Sequence, residues 1–230
     1  MAEVIVALDL ASGLDAIRLL DRLPDVRWVK VGSILMTAEG PDLIRVLTDR
    51  GLRVFLDLKW HDIPNTVAEA VGAARALGVA MATVHTLGGA AMMQAAAGAA
   101  GDRLAIVGVT VLTSHDAASY GRAVGRTGVD LAREVVRLTA EAADCGLTGV
   151  VCAPGEIALV RRRLGPDAAI VVPGIRGGTD APGDQVRVAT AAAAAEAGAT
   201  HLVVGRPILL AADPAAAFRG FLEEARCIGS

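Results

Sequence analysis

Val54-Phe55-Leu56-Asp57-Leu58-Lys59-Trp60-His61-Asp62-Ile63-Pro64-Asn65-Thr66 opens as an apolar strand and then places Asp57, Lys59 and Asp62 close together. Asp57 and Lys59 are two apart, so in an extended chain they project from one face. Asp62 follows once the strand should have ended, and Pro64 suits the first turn of a helix. The stretch is therefore a strand-to-helix junction loaded with opposite charges, where such junctions ordinarily carry Gly, Ser or Asn. Taken one at a time, these residues also have plainer readings: Asp62 as a helix cap, and Asp57 with Lys59 as a surface ion pair.

Working outward, short apolar runs alternate with helical patterns along the whole chain. Strands are predicted at Val4–Leu8, Arg27–Val31, Arg53–Leu58, Ala80–His85, Leu104–Val111, Gly149–Cys152, Ala169–Val172 and His201–Val204. Helices are predicted at about Gly13–Leu23, Pro41–Arg50, Pro64–Leu77, Gly89–Ala100, Val129–Cys145, Gly155–Leu164, Gln185–Ala197 and Pro214–Cys227. Near-continuous apolar strands that alternate with helices imply a parallel sheet covered on both faces. Eight such units in 230 residues predict a closed (β/α)8 TIM barrel of the α/β class, as a single domain over residues 1–230. An open doubly wound sheet is the competing architecture. It is weakened at the first turn, where Leu8-Asp9-Leu10-Ala11-Ser12-Gly13 carries a carboxylate in place of a glycine-rich nucleotide fingerprint. The stretch from Thr113 to Gly128 reads as one long irregular segment, a lid or binding loop.

Composition narrows the possibilities further. Aromatic residues are 3% against 53% hydrophobic, so the predicted core is aliphatic, built from Val, Ile, Leu and Ala. A net charge of −3 offers no basic field for nucleic acid. Cys145, Cys152 and Cys227 have no paired spacing, and His61, His85, His115 and His201 have no ligand spacing, so neither a disulfide framework nor a metal site is predicted. No apolar run is long enough to span a membrane, and the start lacks the pattern of a cleaved signal. A cytoplasmic protein is expected.

In a barrel, strand C-termini face one mouth, where the chemistry sits. The residues closing the strands then form a set: Asp9, Lys30, Asp57 with Lys59, His85, Thr113 with Ser114, Arg176, and Gly205 with Arg206. Lys30 lies between Val29 and Val31, where a charge needs a partner, and Asp57 in the adjacent strand is the predicted one. Phosphate sites in barrels are frequently built from the loops after the last two strands. Here those loops are Pro173-Gly174-Ile175-Arg176-Gly177-Gly178 and Gly205-Arg206-Pro207, each with glycine for close backbone approach and an arginine for charge. A phosphorylated ligand is predicted.

The run Asp57-Leu58-Lys59-Trp60-His61-Asp62-Ile63-Pro64-Asn65-Thr66 closely resembles the signature of the orotidine 5′-monophosphate decarboxylase family, with Trp60 where that family often has another large apolar residue. The resemblance extends in order to Ala7-Leu8-Asp9, Lys30-Val31-Gly32, Leu112-Thr113-Ser114, the Pro-Gly-Ile-Arg segment and Gly205-Arg206. It implies cofactor-free, metal-free decarboxylation of orotidine 5′-monophosphate to uridine 5′-monophosphate. By that resemblance Lys59 stabilises the carbanion at the pyrimidine C6 and supplies its proton. Asp57 lies near the departing carboxylate, and Lys30, Asp57, Lys59 and Asp62 form a four-charge network. Asp9 and Lys30 hold the ribose, Thr113 contacts the base (Ser114 less so), and Arg176, Gln185, Gly205 and Arg206 hold the phosphate. The substrate-binding segment includes Ile63, Pro64 and Asn65, while Asp62 and Thr66 reach into the partner site of a homodimer. Two alternatives stand beside this reading: a Mg²⁺-dependent sugar-phosphate decarboxylase or synthase of the same barrel superfamily, and a non-catalytic nucleotide-binding barrel.

Overall fold

Two-residue alternation along eight strands builds this molecule. The computed structural model describes residues 1–177 and 188–226. Its strands are β1 (Glu3–Ala7), β2 (Trp28–Gly32), β3 (Arg53–Trp60), β4 (Met81–His85), β5 (Ala105–Val109), β6 (Gly149–Val151), β7 (Ala169–Val172) and β8 (His201–Val204). All pair in parallel and in sequence order, and β8 closes on β1 to complete the barrel. The helices are α1 (Gly13–Asp21), α2 (Ser33–Glu39), α3 (Pro41–Asp49), α4 (Pro64–Ala76), α5 (Gly89–Ala100), α6 (Ala117–Ala123), α7 (Leu131–Asp144), α8 (Ile157–Leu164), α9 (Ala191–Glu196), α10 (Arg206–Leu209) and α11 (Pro214–Arg226). Proline opens α3 and α4 at the first turn, where its missing N–H leaves nothing unpaired. Asp130 caps α7 by accepting the backbone N–H groups of Ala132 and Arg133. No helix among the described residues is long and apolar enough to cross a membrane.

The alternation separates two cores. Val4, Val6 and Leu8 face the helices with the main aliphatic cluster, whereas Ile5 and Ala7 face inward. The inner cluster joins Ile5 and Ala7 to Trp28, Phe55, Met81, Val107, Val171 and Val203. The core is aliphatic as expected, and Trp28 and Phe55 are the aromatic exceptions that fill the barrel. The physical reason is volume. Gly149 and Ala169 project little from β6 and β7, and close packing needs large side chains from the opposite strands. At the base, the Arg53 guanidinium stands 4.3 Å from the Trp28 ring centroid, and His201 meets that ring edge-on at 5.1 Å.

Several predicted boundaries move. β3 runs to Trp60, past the predicted end at Leu58. β5 stops at Val109, although Thr110 and Val111 stay buried, so the apolar run outlasts the strand ladder. The stretch Thr113–Gly128 is not irregular throughout. It contains α6, capped reciprocally by Asp116 and Ser119, and Tyr120 donates to the buried carboxylate of Glu134 at 3.0 Å. Arg137 foremost, then Tyr120 and Arg126, hydrogen-bond this carboxylate and hold Glu134 down at about 2. The helix predicted over Gln185–Ala197 starts outside the described residues, and among those described it begins at Ala191. Thr190 caps it, and Ala189 instead bridges Ile175 in parallel pairing. A polyalanine run has helical propensity everywhere, so the cap and the bridge set its start.

Candidate active site

The same two-residue step that fills the barrel raises charge at its mouth. Above Ala7, Trp28, Phe55 and Met81 on the inward faces come Asp9, Lys30, Asp57 and Thr83. Lys30 Nζ donates to Asp9 Oδ1 at 2.7 Å and lies 3.8 Å from Asp57 Oδ2. Lys59 Nζ donates to Asp57 Oδ1 at 2.9 Å. The charges therefore run Asp9, Lys30, Asp57, Lys59 in alternating sign. Lys30 and Asp57 are largely buried, while the Lys59 side chain keeps 39% of its exposure and faces the opening. Burying Lys30 is tolerable because two carboxylates surround it. Gly32 makes room for it: a Cβ there would come within 3.1 Å of Lys30 Nζ.

Asp57 and Lys59 meet, but not through plain alternation. Lys59 has φ +51°, the one non-glycine residue in the left-handed region among those described, and the β3–β4 register shifts between Leu56 and Trp60. A bulge thus re-aims the lysine. Its backbone N–H donates to Thr83 Oγ1 at 2.8 Å, and Thr83 Oγ1 donates to Asp57 Oδ1 at 3.2 Å.

A cavity of about 490 Å³ opens at this mouth. Asp9, Lys30, Asp57, Lys59, Thr113, Arg176, Gly205 and Arg206 all line it. Arg176 is buried and donates to the Ile175 carbonyl at 2.9 Å. Gly174, in the left-handed region at φ +84°, turns the chain toward it. The backbone pairs Arg176 N–H with Ala189 O, and Ala189 N–H with Gly174 O, which holds Gly174 to Arg176 beside the cavity. Gln185 lies outside the described residues. Val109, Val151 and Cys152 give the cavity an apolar floor that sequence reading did not single out. Thr83 was also missed. The available signal was its place two residues after an inward-facing Met81.

The segment from Asp62 to Thr66 takes another course. Asp62, Ile63, Pro64, Asn65 and Thr66 are all exposed, and none lines this cavity. Of the predicted network of Lys30, Asp57, Lys59 and Asp62, the first three meet within this chain, where Asp9 also pairs with Lys30, while Asp62 stands beyond the strand end. Asp62 Oδ1 accepts the N–H of its neighbour Ile63 at 2.6 Å, which is not a helix cap. Asp57 was the predicted partner of Lys30, yet Asp9 is the nearer. Ser114 is exposed and does not line the cavity. His85 stacks on His61 with ring centroids 5.7 Å apart. Burial first, then the nearby His61, Lys59 and His115 charges, push His85 down to about 4, so it is neutral near neutral pH.

With this geometry in hand, comparison with known proteins is decisive. A sequence model described as Orotidine 5′-phosphate decarboxylase / HUMPS family matches residues 2–221. The chain belongs to this family. Orotidine 5′-phosphate decarboxylase of Alkalilimnicola ehrlichii is 51% identical over 221 residues, covering 94% of this chain and 93% of the relative. The protein of that name from Halorhodospira halophila is 49% identical over 232 residues, covering 99% and 97%. The crystal structure of orotidine 5′-phosphate decarboxylase from Lactobacillus acidophilus superposes with a TM-score of 0.87 at 37% identity, covering 98% of this chain and all of that one. The family's barrel and the one built here from strand alternation are thus the same architecture.

Proposed function

We propose that this chain, acting as one domain over residues 1–230, decarboxylates orotidine 5′-monophosphate to uridine 5′-monophosphate, the last step of de novo pyrimidine nucleotide synthesis. The observation that carries the reading is the alternating Asp9–Lys30–Asp57–Lys59 array sharing one cavity with Arg176 and Arg206. A phosphate on the arginine side puts a pyrimidine ring toward the lysine side. Breaking the bond from C6 to the carboxylate leaves an electron pair on C6 as CO₂ departs. The Lys59 ammonium meets that charge as it forms and then transfers a proton to C6. Asp57, hydrogen-bonded to Lys59, sets its position and stands near the departing carboxylate.

The remaining roles follow from position. Asp9 and Lys30 take the ribose hydroxyls, Thr113 the base, and Arg176, Arg206, Gly205 and Gln185 the phosphate. Phosphate binding far from C6 supports catalysis by holding the ring in place. Asp62 and Thr66, exposed on this protomer together with Ile63, Pro64 and Asn65, complete the cavity of a second copy in a homodimer. The enzyme works in the cytoplasm without metal or organic cofactor, and the engagement of Asp9 and Asp57 by lysine ammoniums supports chemistry run on fixed protein charge. The test is loss of the orotate absorbance on mixing protein with orotidine 5′-monophosphate in excess EDTA. Turnover is expected to continue unchanged. Orotidine 5′-monophosphate left unchanged, beside Mg²⁺-dependent turnover of a sugar phosphate, would instead support a sugar-phosphate enzyme of the same superfamily, and no turnover of either would leave a nucleotide-binding barrel.

A further inference from the structure

Thr83 is fully buried on the inward face of β4, between Ala82 and Val84, which pack outward against the helices. Its hydroxyl has one proton to give. The Lys59 backbone N–H must donate, so the Thr83 oxygen accepts it, and the Thr83 proton is directed to Asp57 Oδ1. That same carboxylate oxygen accepts Lys59 Nζ. One hydroxyl therefore grips both the main chain of the lysine and the side chain of its carboxylate partner. It does so where the backbone is left-handed and the strand register shifts, a conformation that persists only if its surroundings hold it.

We propose that Thr83 is a positioning residue for decarboxylation. It holds the Lys59 bulge and turns the Asp57 carboxylate, so that the ammonium stands at the cavity and not along the strand. This assignment rests on the reading of Lys59 as the charge that meets C6. A threonine that only fills space behaves differently, and two substitutions separate the cases. Thr83→Val keeps the shape and removes the hydroxyl. Thr83→Ser keeps the hydroxyl and removes the methyl group.

Positioning predicts that Thr83→Val lowers kcat by about 30-fold, the scale of one lost hydrogen bond to a charged group. KM and the affinity for uridine 5′-monophosphate should stay within about threefold of wild type, since the arginines are untouched, and Thr83→Ser should keep kcat within about threefold. Val at wild-type kcat, Ser as impaired as Val, or a loss confined to KM would each overturn the assignment. Should the Val protein fail to fold by circular dichroism, Thr83→Ala removes the same hydroxyl without placing a methyl group against the Asp57 carboxylate, and wild-type kcat in that variant overturns the assignment equally. Wild-type turnover is measured first. Its absence sinks the reading of the reaction and this assignment with it, whereas intact wild-type turnover beside an unimpaired Val variant sinks the assignment alone.

Discussion

Replacing Lys59 by alanine tests the centre of the proposed chemistry. The ammonium stands 2.9 Å from Asp57 and faces the cavity. A negative charge forming on carbon about 3 Å from it, at an effective dielectric constant of about 20, is stabilised by about 5–6 kcal/mol. Losing that interaction lowers kcat by roughly ten-thousand-fold. Loss of the proton donor adds a further factor, on the order of a hundred or more. Stability should hardly change, because Asp57 keeps Thr83 at 3.2 Å and Lys30 at 3.8 Å. The exposed end of a partly solvated ion pair is worth about 1 kcal/mol or less. Substrate absorbance in EDTA measures turnover, urea unfolding measures stability, and calorimetry with uridine 5′-monophosphate measures binding. The expected result is a folded protein that still binds the product nucleotide but has lost turnover. A folded Lys59→Ala protein with kcat within about tenfold of wild type would refute the assignment of Lys59.

Three further outcomes are expected. Arg206→Ala removes charge-assisted donors facing the phosphate position and should lower kcat/KM by about 3 kcal/mol; an unchanged value would take Arg206 out of that site. Asp62→Ala and Lys59→Ala proteins, each inactive alone, should regain about a quarter of wild-type activity when refolded together as mixed dimers, because half the dimers then carry one intact site. No recovery, with mixed dimers demonstrated, would place Asp62 within its own protomer's chemistry. Finally, His201 is held down from 6.5 to about 4, first by burial and then by Arg53. The unfolded chain therefore binds protons that the folded chain refuses, and stability falls as pH drops from about 6.5 to about 4, levelling off below. From His201 alone the loss on going from about pH 7 to about pH 5 is about 2 kcal/mol, and a flat urea-unfolding profile over that interval would contradict it.

Much of the barrel was legible because strand faces repeat every two residues and local rules mark helix starts. Pro41, Pro64 and Pro214 each announced a helix that the structure contains. The charges were legible because an apolar run tolerates Lys30 or Asp57 only for a reason. What escaped were features set by contact across the barrel. The lining by Val151 and Cys152, and the aromatic fill of Trp28 and Phe55, depend on which strands face each other and on how little Gly149 and Ala169 project. The helix inside Thr113–Gly128 was signalled by Asp116 and Ser119 as a capping pair, yet what holds it is Glu134, eight residues or more away in the chain.

From the sequence alone came the eight-unit alternation, the family signature at Asp57 to Thr66, and the presence of opposite charges at the strand ends. These are local properties, encoded within a few residues of one another. Tertiary structure alone decided that Asp9 joins Lys30, Asp57 and Lys59 in one array within the chain. It also decided that Lys59 reaches Asp57 through a left-handed bulge, and that Thr83 from the next strand holds both. Those outcomes depend on barrel closure and on a register shift, which bring distant residues within hydrogen-bond range and have no signature in any single stretch of chain.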